Sequence, residues 1–407
     1  MRVEERFLKY VAVDTQSDEA SMTSPSTEKQ LVLAQMLADE LKELGLEDAH
    51  VDAFGVVYAK LSANAQGFPA IGLNAHMDTA TDLSGANVSP RIVANYDGGE
   101  IVLNPDVKMG PKEFPVLKEH IGEDLIVTDG TTLLGGDDKA AVAAIMTFAE
   151  YLCGHPEVHH GEIQLGFTPD EEVGRGTENF DVKDFGAEVA YTMDGDGLGG
   201  IYEESFNAWE AQVTIHGISV HPGTAKGIMK NAVEIAGEFM NLLPALERPQ
   251  NTELRQGYYH PFTLNATVEL ATIRCLIRDH DLERYYERKQ YVERCIDFLN
   301  EKYGSGTASL TWVNQYFSMF EVIKTVPFMV PFARQAMLDC GVEPYQIAMR
   351  GGTDGSWLSQ MGLPCPNITA GDENAHGHFE CVSIDAMAKN VEILTRLCEI
   401  YAENAES

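Results

Sequence analysis

Two hydrophobic periods alternate along the chain and outline its fold. Val3, Phe7, Leu8 and Val11 share one helical face near the start. A Ser- and Thr-rich loop over residues 14–26 precedes a second helical stripe of Leu31, Ala34, Leu37, Leu41 and Leu44. Thr27 and Gln30 have the spacing of a capping box, and Gly45 supplies a C-cap. Residues 51–61, broken at Gly55, predict two short strands, and residues 70–73 another. Residues 79–123 carry little pattern. A strand is predicted over 125–128, an Ala-rich helix over 140–152 and a buried strand over 189–193. Between them, Ile163, Leu165 and Phe167 alternate with Glu162, Gln164 and Gly166 as a further strand. Strands alternating with helices predict an α/β sheet covered by helices on both faces.

The pattern changes near Asn207. Trp209, Ala211, Val213 and Ile215 alternate as an amphipathic strand. A helix over 232–243, strands over 263–268 and 273–277, a charged helix over 281–303 and a strand over 309–313 follow. The order βαββαβ is the split layout of a two-layer domain. It predicts an inserted domain over 207–317 that divides a catalytic domain into 1–206 and 318–407. The second part holds a helix over 331–340, a strand before Gly371 and a long final helix over 384–403.

Charge narrows the partners. The 29 basic and 63 acidic residues leave a net charge of −34. Such a surface repels nucleic acid and anionic membranes. No apolar run reaches the roughly 18 residues of a membrane span, and residues 1–6 lack the apolar core of a signal peptide. Seven scattered cysteines without C-x-x-C spacing fit the reduced thiols of a cytoplasmic protein.

The chemistry gathers at strand ends. Pro169 stops the strand before it, because its ring fixes φ and removes a donor. Glu171 and Glu172 then stand at the strand's C-terminal end, where open α/β sheets bind ligands. Of two adjacent carboxylates, one can ligate a metal while the other moves protons. His76, Asp137, Glu172, Asp194 and His376 also fall at strand ends or in loops. Imidazoles with carboxylates are the ligands of hydrolytic zinc sites, and they serve manganese or cobalt as well. Each residue alone has a plainer reading: a hydrogen-bonded strand-end histidine, an N-cap at Asp137, a turn over 194–197. A calcium loop starting at Asp194 is excluded, because Ser205 stands where its final Glu belongs.

As an ordered set, seven runs resemble the peptidase T group, the tripeptide aminopeptidases among the co-catalytic zinc exopeptidases. They are Asp14-Thr15-Gln16-Ser17, His76-Met77-Asp78-Thr79, Leu134-Gly135-Gly136-Asp137-Asp138-Lys139, the stretch from Phe167 through Pro169-Asp170-Glu171-Glu172 to Gly174, Tyr191-Thr192-Met193-Asp194-Gly195, His221-Pro222-Gly223-Thr224-Ala225-Lys226-Gly227, and Arg350-Gly351-Gly352-Thr353-Asp354-Gly355. The last two favour this group over its carboxypeptidase and deacylase relatives. The resemblance covers nearly the whole chain.

It implies a zinc-exopeptidase-like sheet with the inserted domain as a lid, and two zinc ions per subunit. Asp137 would bridge them; His76 and Asp194 would complete one shell, Glu172 and His376 the other. The ions would polarise the scissile carbonyl and hold a shared water as hydroxide. Glu171 would be the general base, and Asp78 would orient His76. Some relatives read His-Gly-Lys-His-Glu where this chain has His376-Gly377-His378-Phe379-Glu380. The first histidine is assigned as the ligand, with His378 the alternative. His221, Asn231 and Arg278 from the insertion, and Arg350 from the main domain, would hold the substrate carboxylate or the developing oxyanion. The implied activity is removal of the N-terminal residue from tripeptides, with short peptides as substrates and a homodimer left open. A dizinc dipeptidase, carboxypeptidase or acyl-amino-acid deacylase shares these ligands. A non-catalytic binding protein is the remaining alternative, and an intact Glu171 with all five ligands speaks against it.

Overall fold

The two periods sort into sheets and their covering helices. The computed structural model describes residues 1–46, 48–65 and 69–404, so the end of the expected last segment, 405–407, lies outside it. The chain divides into two compact units. The first comprises Met1–Glu203, Glu321–Ile347 and Thr353–Ser407; the second comprises Glu204–Phe320 and Ala348–Gly352.

The first unit is built on an eight-stranded sheet. Its strands run in the order His50–Val51, Val57–Leu61, Ile163–Thr168, Ile71–His76, Val189–Met193, Asn367–Ile368, Gly200–Glu204 and Tyr345–Ala348. Ile71–His76 lies parallel to both Ile163–Thr168 and Val189–Met193. These three central strands are buried along their whole length, as a sheet covered on both faces requires. On one face Val3–Val11, Gln30–Glu43, Gly136–Gly154 and Ile384–Asn404 build the main core, in which Phe7, Leu37, Ile145 and Leu397 are fully buried. On the other face Tyr58, Phe180, Phe185 and Leu358 form a smaller core. The three parallel strands end together, so His76, Thr168 and Met193 bring the segments that follow them to one edge.

Three local expectations change. The Thr27 hydroxyl donates to Gln16 O at 2.8 Å instead of capping a helix. The helix begins at Gln30, whose side chain is drawn elsewhere. Residues 79–123, unpatterned in sequence, include Arg91–Val93, which joins Leu125–Val127, Cys381–Ser383 and Asp372–Glu373 in a four-stranded sheet. Strands of two or three residues are too short for periodicity to register.

The second unit has the βαββαβ order that the periodicity predicts. Tyr258–Ala266, Leu270–Asp279, Asn207–His216 and Ala308–Tyr316 form an antiparallel sheet in that order. Ala232–Leu242 and Leu282–Tyr303 supply the core partners of its inward residues Ala211, Val213, Ile273 and Ile277. Among the described residues, no helix is long and apolar enough to cross a membrane.

Candidate active site

His76 ends its strand with an imidazole only 2% exposed. Its Nε2 lies 2.8 Å from Asp137 Oδ1, and its Nδ1 lies 3.2 Å from Asp78 O. Asp137 follows Gly135 and Gly136. Gly135 is the N-cap, with φ at 84°, so Asp137 is not the cap. A Cβ on Gly136 would come within 2.5 Å of Val382 Cγ2, so only glycine fits there. Asp137 itself is non-helical (φ −79°, ψ 100°), and its peptide bond to Asp138 is cis. Its second oxygen, Oδ2, lies 3.2 Å from His376 Nε2.

His376 Nε2 also lies 3.1 Å from Glu172 Oε2. Two groups of atoms that could ligate a metal result, each with its atoms within 4.8 Å of one another. One is His76, Asp137 and Asp194; the other is Asp137, Glu172 and His376. Asp137 belongs to both, and His378 belongs to neither.

The surroundings favour cations. Burial, then the nearby Asp194, raises the Glu171 carboxyl well above its ordinary range. Burial pushes Glu172 up to about 7. Burial and then Asp137 push Asp194 up to about 8. The imidazoles also shift upward, which for them favours the charged form. Hydrogen bonds to Asp137 and Glu172 push His376 up to about 11. Burial works against a charge on His76, but its bonds to Asp137 and Asp78 outweigh that and raise it well above 6.5. Carboxylates crowded at low dielectric are what bound dications neutralise. Glu172 Oε1 is buried without a hydrogen-bond partner among the described residues, a lone pair suited to a metal. The nitrogen and oxygen donor set fits zinc, manganese or cobalt.

Asp78 is fully buried below this cluster. Its Oδ1 accepts from Glu171 N at 3.0 Å and its Oδ2 from Glu172 N at 3.2 Å. Asp78 thereby contacts the main chain of the acidic pair as well as the His76 ring.

The four expected substrate contacts lie in the second unit, Arg350 included. His221 is exposed, and its Nδ1 accepts from Gly223 N. Asn231 caps Ala232–Leu242 by accepting from Val233 N. Arg278, 7% exposed, donates to Trp209 O and Gln315 Oε1. Arg350 donates to Leu254 O, Gln256 O and Thr252 Oγ1, and packs over Phe206 and Tyr258.

Sequence reading passed over Glu380. Its carboxylate, 1% exposed, accepts from Leu134 N (2.6 Å), Gly135 N (2.9 Å) and Asp137 N (3.1 Å). It ties the segment bearing His376 to the one bearing Asp137. The signal was present: an acidic residue four positions after a candidate ligand, in a run read only for its histidines. Asp354 gave less warning. It is buried and accepts from Thr168 Oγ1 and Asn74 Nδ2 beneath the strand ends.

A partly buried cluster of this kind, at the carboxyl ends of parallel strands, has the donor set of a metallohydrolase. Residues 130–400 match the model of peptidase family M20/M25/M40, and the chain belongs to that family. It is 50% identical over 405 residues to peptidase T of Caldanaerobacter subterraneus subsp. tengcongensis, with 99% of each chain covered. Its fold is similar to that of the aminopeptidase PepT of Bacillus cereus (TM-score 0.77, 22% identity, 98% of each chain). It is equally similar to a tripeptidase of Staphylococcus aureus (TM-score 0.77, 21% identity, 99% of this chain and 98% of that one).

Proposed function

We propose that this peptidase is a cytoplasmic aminopeptidase that removes the N-terminal residue of tripeptides with two zinc ions. The observation that carries the reading is Asp137, whose two oxygens face His76 and His376 in separate ligand groups. A carboxylate so shared suits a bridge. The similarity to peptidase T supports the substrate class.

Asp137, His76 and Asp194 would hold one ion; Asp137, Glu172 and His376 would hold the other. When bound, such a pair polarises the scissile carbonyl and acidifies a shared water. Glu171 takes the water's proton and delivers it to the leaving amine. A carboxylate placed beside a bound water can take up a proton and return it. Asp78 keeps Glu171 and Glu172 in register with His76 through two main-chain bonds. The second unit serves as the lid, with His221 donating to the developing oxyanion and Asn231, Arg278 and Arg350 reading the substrate carboxylate. In that case His221→Ala lowers kcat far more than it raises KM, with zinc content unchanged. Wild-type turnover in that variant refutes the assignment.

The deciding assay offers the purified protein free tripeptides, dipeptides and N-terminally blocked tripeptides, before and after chelation. Release of the N-terminal amino acid from free tripeptides alone, lost on chelation and restored by zinc, is the expected result. Release from the C-terminus, or cleavage of blocked peptides, overturns it in favour of a carboxypeptidase or deacylase.

A further inference from the structure

Asp170 immediately precedes the acidic pair and has a backbone conformation that few non-glycine residues take. Its φ is 60° and its ψ 21°, in the left-handed region, and its side chain is buried. Non-glycine residues persist there when their surroundings hold them, and such residues cluster at functional sites. Here the surroundings are explicit. Oδ2 accepts from Ser26 N at 2.7 Å. Oδ1 accepts from Ser26 Oγ at 2.5 Å and from Gln30 Nε2 at 2.7 Å. Gln30 Oε1 returns the contact by accepting from Asp170 N at 3.1 Å. Asp170 O accepts from Arg175 N at 2.9 Å, closing the turn that contains Glu171 and Glu172.

We infer that Asp170 is a positioning residue, which locks the turn bearing Glu171 and Glu172 onto the Ser26–Gln30 segment and so sets where both carboxylates stand. The inference rests on the proposed roles of those two residues. Asp78 grips the same turn through the amides of Glu171 and Glu172. Asp170 grips it from the preceding position, through the side of the chain that leads into helix Gln30–Glu43. Two anchors on consecutive residues leave the turn little freedom to swing, and catalytic groups tolerate little: a displacement of about 1 Å can cost about 10²-fold in rate.

Asp170→Asn separates the anchor from the backbone. Asparagine accepts the left-handed conformation readily, yet it replaces one oxygen with an NH2 group. Ser26 N and Gln30 Nε2 are both donors toward the carboxylate. Whichever way the amide is turned, one of them faces another donor. Flipping Gln30 only moves the conflict to Asp170 N.

The experiment compares wild type, Asp170→Asn and Gln30→Met at a temperature well below their melting points. Gln30→Met removes the partner's contacts and leaves Asp170 intact, so it decides the matter if Asp170→Asn does not fold. Tripeptide turnover and calorimetric zinc binding to the metal-stripped proteins are both measured. The expected result is a fall in kcat of about 10²-fold for Asp170→Asn, and a smaller fall for Gln30→Met. KM is expected to stay within about twofold, and zinc affinity to weaken at one of two sites, the one containing Glu172. A lowered melting temperature with wild-type kcat and zinc affinity overturns the inference, because a merely structural contact would do just that. If wild type itself releases no N-terminal residue, the functional reading fails. The zinc titration still tests the placement of Glu172.

Discussion

Replacing Glu380 with glutamine isolates one strut of the site. The wild-type carboxylate serves three main-chain N–H groups at 2.6, 2.9 and 3.1 Å in a position 1% exposed. Hydrogen bonds to a charged acceptor contribute about 1.5–3 kcal/mol each, and a buried donor left unpaired costs about 1–3 kcal/mol. Glutamine keeps the shape but only one acceptor oxygen. Its best orientation leaves the carbonyl oxygen on Leu134 N and Gly135 N, which share Oε2, and turns the NH2 toward Asp137 N. One bond is lost and one donor is stranded, which together cost about 2.5–6 kcal/mol. That is a large part of the 5–15 kcal/mol typical of a folded domain. The stranded amide belongs to Asp137, so zinc affinity falls too, by about 10–100-fold. Urea unfolding of the metal-stripped protein reads the first effect, and calorimetric zinc titration the second. An unfolding free energy within about 0.5 kcal/mol of wild type, together with unchanged zinc affinity, would refute the reasoning.

Other consequences can be checked separately. Glu171→Gln is expected to keep its metals and lose about 10²–10⁴-fold in kcat; loss of metal instead would mean that Glu171 and Glu172 exchange roles. Metal analysis should find two ions per chain at full activity, and stepwise chelation should abolish turnover; full activity with one bound zinc would contradict a shared Asp137. His120 links Glu123 Oε2 (2.7 Å) and Glu373 Oε1 (3.4 Å). Burial opposes its charge, but the bonds to Glu373 and then Glu123 outweigh burial and push its pKa up to about 9. The folded value exceeds the unfolded value of about 6.5, so this stabilisation is complete below that pH and is lost as pH rises through about 9. Unfolding measured from about pH 6 to 10 should therefore fall more steeply for wild type than for His120→Gln; parallel curves would exclude the effect.

The sequence by itself determined most of the longer elements. Val189–Met193 is a run of apolar and small residues, and the strand has those bounds. Alternation through Asn207–His216 likewise sufficed to order the βαββαβ unit. Periods of two and 3.6 residues are local properties, and local signals survive in one dimension. The five residues that the structure draws together were also legible as candidates, because histidines and acids at strand ends are conspicuous by type and place. Only tertiary structure decided what holds those ligands. Ser26 meets Asp170 across 144 residues of sequence, and Leu134 meets Glu380 across 246. No period links such positions. A buried carboxylate collecting main-chain N–H groups has no side-chain partner to betray it, since the donors are backbone atoms that every residue but proline carries. Thr27 and Gln30 illustrate the converse. Their spacing suits a helix cap, but a buried carboxylate with unfilled lone pairs binds Gln30 more strongly than a solvated helix end would.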